Sequence, residues 1–123
     1  WYDVIVTTNL FGDIITDLGS MLQGGMGIAA SGNLHPGKTS MFEPIHGSAP
    51  KYAGKNVACP LGAIMAVSMM MDYLGEKAAA KRIEDSVAYL LSSGRIPSTD
   101  AHSGISTTKM GDMVVEQIQK AEG

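Results

Sequence analysis

Apolar and polar positions recur along this chain with two different periods, and the changes of period mark out its elements. Residues 4–7, Val-Ile-Val-Thr, are a short unbroken run of β-branched side chains, the pattern of a buried strand. From Asn9 the period turns helical. Leu10, Ile14, Leu18, Met21 and Leu22 fall on one stripe and Asp13 and Asp17 on another face, which predicts a helix capped by Asn9, running to about Gln23 and stopped by Gly24 and Gly25. The simplest partner for that stripe is the chain's own core. Residues 28–34 read as an extended segment and 41–45 as a second strand. Residues 60–74 predict a helix with Pro60 near its start and Gly75 past its end. Ile64, Met65, Val67, Met69, Met70 and Met71 cover so much of this helix that burial on most sides is expected, with methionine as gap-filling core. Residues 76–92 predict an amphipathic helix with Ala79, Ile83, Val87 and Leu90 inward and Lys77, Lys81, Arg82 and Glu84 in solvent. Residues 95–105 form a surface loop, and a last helix over 106–120 buries Met110, Met113, Val114 and Ile118.

Composition narrows the class. At 123 residues and 45% hydrophobic, the chain can bury one core and requires no second complete domain. A net charge of -3 with scattered basic residues predicts neither a nucleic-acid nor an anionic-membrane surface. The single cysteine, Cys59, rules out an intrachain disulfide and suits a reducing, cytoplasmic compartment. No stretch approaches the roughly 18 unbroken apolar residues of a membrane span, and no signal-peptide pattern is present. The chain enters a strand pattern at Trp1 without an initiator Met, as a truncated sequence would.

Three stretches carry candidate chemistry. Asp13 and Asp17 sit four residues apart on one helix face, where like charges cost roughly 0.2–0.5 kcal/mol unless a cation reverses the sign. Two carboxylates with coordination positions left over suit Mg²⁺ or Mn²⁺. Taken alone, the pair fits a solvated helix face equally well. Residues 25–30, Gly-Met-Gly-Ile-Ala-Ala, match the dinucleotide fingerprint G-x-G-x-x-A, but a helix precedes them and Ser31-Gly32-Asn33 breaks any helix that would follow. The fingerprint works only between a strand and a helix, so these glycines are a helix cap and a bend. Residues 42–50, Phe-Glu-Pro-Ile-His-Gly-Ser-Ala-Pro, end a strand in a loop whose small residues let the backbone approach a ligand and offer free N–H groups to phosphates. Taken alone, His46 is a loop histidine satisfied locally, and His35 is a surface residue.

Residues 9–17, Asn-Leu-Phe-Gly-Asp-Ile-Ile-Thr-Asp, resemble the metal-binding segment of the decarboxylating β-hydroxyacid dehydrogenases, the isopropylmalate and isocitrate dehydrogenase family, and residues 42–50 resemble that family's cofactor loop. Both occur in the family's order and spacing. The resemblance spans nearly the whole chain but matches only the C-terminal part of a full-length member. It implies an α/β fold, the C-terminal part of an isopropylmalate dehydrogenase-like α/β/α sandwich. Residues 1–23 would end the smaller dimerising domain, and residues 24–123 would belong to the cofactor domain. It further implies Asp13 and Asp17 as metal ligands, Glu43 near the nicotinamide ribose, His46 against the adenosine, and Gly47, Ser48 and Ala49 along the loop.

The resemblance also implies NAD- and divalent-metal-dependent oxidative decarboxylation of a small 2-hydroxy acid. 3-Isopropylmalate ranks first, ahead of isocitrate, homoisocitrate and tartrate, and a homodimer would pack through Leu18 and Met21. No catalytic acid–base residue falls in this stretch, because the family's substrate-clamping arginines and its acid–base Lys and Tyr lie upstream. The chain alone is therefore expected to be inactive. Two departures bear on the cofactor. Lys51 stands where isopropylmalate enzymes carry an Asp that binds the adenosine ribose, and with Tyr52 it resembles NADP-dependent isocitrate dehydrogenases. Cys59 replaces the Asn that the family directs at the adenine. Residues 100–104 lack the Tyr and Arg that complete the relatives' phosphate site, leaving His102 at most. The expectation is NAD use with weakened exclusion of NADP. A non-catalytic dimerisation module is the competing reading, and a hydrolase is a poor third because no serine lies in a nucleophile elbow.

Overall fold

The computed structural model describes residues 1–120. The last positions of the expected cofactor unit, 121–123, lie outside the described residues. Four helices and one hairpin make up the fold: α1 (Asn9–Ser20), β1 (Ala30–Asn33), β2 (Met41–Pro44), α2 (Leu61–Tyr73), α3 (Lys77–Ser92) and α4 (Thr107–Lys120). Short 3₁₀ turns follow α1 (Met21–Gln23) and precede α2 (Pro50–Tyr52). The strands pair antiparallel, Ala30 opposite Pro44 and Asn33 opposite Met41.

The core forms where α2, α3 and α4 meet. Leu61, Val87, Leu90, Ile96, Met110, Met113 and Val114 are its buried members. Ile96 enters it from the 95–105 loop, which is otherwise exposed or half-buried. The buried hydroxyl of Ser68 donates to Ala80 O at 2.9 Å, so the close crossing of α2 and α3 leaves no hydroxyl unpaired. The hairpin packs on α2, with the Phe42 and Tyr73 ring centroids 5.7 Å apart.

Four sequence expectations need correction. Residues 4–7 form no strand, and Val6 is 91% exposed, because the described residues hold no strand beside them. The cap of α1 is Thr8, in an extended conformation with no side-chain capping bond, one residue before the expected Asn9. The stripe of Leu10, Ile14, Leu18, Met21 and Leu22 lies in solvent rather than in the core, Leu22 at 92%. On α2 the fully buried positions are Leu61, Gly62, Ala66 and Ser68, while Val67 and Met69 are 41% exposed. Small residues are buried there because the hairpin and α3 approach the helix backbone closely, which leaves the long side chains to the margins. The turn at 24–25 is as expected: Gly24 at φ 103° and Gly25 at φ 92° hold left-handed conformations that L side chains avoid. An extended segment rather than a helix follows, so the dinucleotide fingerprint is absent in three dimensions as well.

Candidate functional site

At the end of β2 the chain turns along the first residues of α2 and opens a cleft of about 700 Å³. One wall is the 43–59 stretch, contributing Glu43, His46, Gly47, Ser48, Ala49, Tyr52 and Cys59. The other is the loop before α4, contributing Thr99, Asp100 and Ala101. Seven of the eight cofactor residues expected from sequence thus line one space. Two glycines permit this convergence. A Cβ on Gly27 would lie 2.9 Å from the Thr99 side chain, and one on Gly62 would lie 3.1 Å from Pro44 Cβ and 3.3 Å from His46 Nε2. Gly62 N also donates to Gly27 O at 3.0 Å, tying the floor of the cleft together.

His46 is the group in this cleft with an unmet requirement. Its Nδ1 lies 3.0 Å from Gly47 O, a carbonyl that only accepts, so Nδ1 carries the proton in the neutral ring. Nε2 is then an acceptor, and it is buried without a hydrogen-bond partner. An orphaned buried acceptor is costly, and this one lies beside Gly62 at the start of α2, sealed from the cleft. Ala49 adds local strain: at φ 44° it is one of two described non-glycine residues in the left-handed region, and it launches the 3₁₀ turn whose Tyr52 N donates to Ala49 O at 2.9 Å. Lys51 does not line the cleft; its Nζ lies 4.8 Å from the Tyr52 ring centroid, a cation resting on the outer face of the wall. His102 is exposed and also outside the lining. Burial pushes the Cys59 thiol above its ordinary pKa, partly offset by a hydrogen bond with the Leu61 backbone. The acids Glu43 and Asp100 line this space, and no Lys or Arg does.

Asp13 and Asp17 lie away from the cleft, exposed on α1. The neighbouring hydroxyls are spent on the helix itself, Thr16 Oγ1 on Gly12 O at 2.9 Å and Ser20 Oγ on Asp17 O at 2.7 Å. Neither carboxylate has a protein partner among the described residues, and no cluster of three or more His, Cys, Asp or Glu side chains forms there. Two unpartnered carboxylates on one helix face fit a hard cation that takes its remaining oxygens from water and substrate. Sequence reasoning missed Gly27 and Thr99 in the cleft. The glycine was visible only as part of a rejected fingerprint, and its contact with Thr99 spans too much chain to be read locally.

Among the described residues no helix is long and apolar enough to cross a membrane. Residues 1–114 match the family model for isocitrate/isopropylmalate dehydrogenase. The isocitrate/homoisocitrate dehydrogenase of Thermus thermophilus is 51% identical over 119 residues, which is 96% of this chain and 35% of that protein. The 3-isopropylmalate dehydrogenase of Corynebacterium jeikeium is 49% identical over 120 residues, 96% of this chain and 34% of that protein. The crystal structure of isocitrate dehydrogenase from Methylococcus capsulatus superposes with a TM-score of 0.82 at 41% identity, covering 96% of this chain and 35% of that one. The chain therefore spans about a third of the length of the relatives it matches.

Proposed function

The chain belongs to the isocitrate/isopropylmalate dehydrogenase family, and from that premise we propose that it is the C-terminal part of an NAD- and divalent-metal-dependent dehydrogenase that oxidatively decarboxylates a 3-substituted malate. The observation that supports this most strongly is the convergence of Glu43, His46–Ala49, Tyr52 and Cys59 on one cleft. In this reading the loop's backbone receives the cofactor's phosphates. His46 packs against the adenosine, and Glu43 orients the nicotinamide ribose at the β2 end. Residues 1–23 belong to the smaller dimerising domain and the remainder to the cofactor domain.

Asp13 and Asp17 would hold Mg²⁺ or Mn²⁺ together with a third Asp that the resemblance assigns to the neighbouring subunit. When bound, the cofactor supplies a hydride acceptor and the ion a Lewis acid for the β-keto acid's loss of CO₂. The role of this chain is thus binding and placement, since none of its residues acts as the general acid or base. A lining with two acids and no cation disfavours a 2′-phosphate, whereas Lys51 on the outer face of Tyr52 partly offsets that repulsion. NAD is the working cofactor and NADP is tolerated.

The substrate is 3-isopropylmalate, with isocitrate and homoisocitrate next in order, all of them malates substituted at one carbon. NADH formation by the full-length protein on each acid tests this. Turnover is expected with at least one of them, dependent on Mg²⁺ and abolished by EDTA. Asp13→Asn and Asp17→Asn should each weaken Mg²⁺ affinity by more than about tenfold, beyond the usual cost of losing a group that merely supports a ligand. Wild-type activity and metal affinity in both variants would exclude the site.

A further inference from the structure

The cleft has two walls from distant parts of the chain, and hydrogen bonds between residues 56–58 and the start of α4 fasten one of them. Asn56 lies in the stretch that continues from the cofactor loop toward Ala58 and Cys59, both of which line the cleft. It holds a left-handed backbone, φ 56°. Its side-chain Oδ1 accepts from Thr108 N at 3.0 Å and from Thr108 Oγ1 at 3.1 Å. Its main-chain oxygen accepts from Thr107 N at 2.9 Å, and Thr107 Oγ1 donates to Ala58 O at 2.5 Å. Thr107 and Thr108 open α4, so two of the N–H groups that every helix leaves unpaired at its start are satisfied from a segment about fifty residues earlier. Ser106 caps the following turn itself, its Oγ accepting from Lys109 N at 3.2 Å.

The opposite wall is tied to the same point. Thr99, Asp100 and Ala101 stand just before α4, Ser103 N donates to Asp100 O at 3.0 Å, and Ile105 packs on the core. The second wall thus runs directly into the start of α4, to which the first wall is bonded, and the Asn56 carboxamide is the first wall's side-chain contribution to that joint.

We infer that Asn56 is a positioning residue that sets the width of the cofactor cleft by capping α4 from the opposite wall; this rests on the cofactor reading of the cleft given above. Asn is suited to both tasks, because it tolerates the left-handed conformation better than other L residues and presents an amide oxygen to a helix start. Glycine would keep the conformation and lose the cap, alanine would lose both, and aspartate would keep both.

The test is the NAD⁺ dissociation constant of the full-length protein by calorimetry, at a temperature where circular dichroism shows each variant folded. Asn56→Ala and Asn56→Gly are expected to weaken NAD⁺ binding about tenfold with kcat changed far less, the scale set by sub-ångström misplacement of a binding wall. Asn56→Asp should bind as wild type. If Asn56→Ala fails to fold, Thr108→Val decides, since it removes one of the two donors to Oδ1 and should shift affinity in the same direction. Wild-type affinity in Asn56→Gly would show that only the backbone conformation matters and would overturn the inference. So would a set of variants that lose thermal stability while their folded forms bind NAD⁺ normally. His46→Ala separates the two levels: if it too leaves NAD⁺ affinity unchanged, the cofactor reading itself fails and the inference falls with it. A large loss in His46→Ala beside no loss in Asn56→Ala would overturn the Asn56 role alone.

Discussion

Lys51 and Cys59 are the two residues from which the sequence leads to an expectation of altered cofactor choice, and their surroundings differ. Lys51 is exposed, with its ammonium over the Tyr52 ring rather than in the cleft, so its effect on a 2′-phosphate is a screened, longer-range attraction. Lys51→Asp should therefore lower kcat/KM for NADP by a factor of a few, leave the NAD value nearly unchanged, and lose its effect at high salt; steady-state kinetics with both cofactors checks this, and an unchanged NADP value would remove Lys51 from the account. Cys59 is half-buried, and burial raises its pKa. Its thiolate is the disfavoured form, so alkylation by iodoacetamide should be slower than for a free thiol near neutral pH and should climb only above the ordinary thiol range. The linkage has the same sign: a folded pKa above the unfolded value adds stability that is complete below the unfolded pKa and is lost as pH rises through the folded one. The rate of Cys59 alkylation against pH reads the direction of the pKa shift.

α1 shows how much a single element reveals from sequence. Its period gave the start of the helix to within a residue and both faces, while the last three expected residues tighten into a 3₁₀ turn after Ser20. The period did not fix what covers the apolar face, since burial depends on neighbours the pattern does not contain, and Leu18 and Met21 stand at 69% and 68% exposure. The proposal is that a second subunit covers them. Replacing both with Asp buries unpaired charge in such an interface, and light scattering should then find monomer at concentrations where the wild type is a dimer. A dimer that persists would place the interface elsewhere. The hairpin and α2 to α4 were legible for the same local reason, helped by glycines that end elements at Gly75 and Gly94. The burial on α2 was not: its apolar side chains go nearly all the way round, and close approach of α3 and the hairpin, not periodicity, selects Gly62, Ala66 and Ser68.

Across the whole molecule, the sequence singled out two candidate stretches but not their relation. The cofactor loop was readable because its residues are nearly contiguous, whereas the second wall at 99–101 and the Asn56 link to Thr108 depend on contacts across the chain that no local pattern encodes. Asp13 and Asp17 on α1 and the cleft remain apart among the described residues of a chain that spans about a third of its relatives. The central claim is that the cleft between residues 43–59 and 99–101 holds the dinucleotide, and Cys59 reports on it from inside. The most direct measurement is the alkylation rate of Cys59 in the full-length protein, followed by peptide mass spectrometry, with and without NAD⁺ at a concentration that saturates binding. The account predicts that NAD⁺ protects Cys59 in proportion to occupancy; an alkylation rate unaffected by saturating NAD⁺ would contradict it.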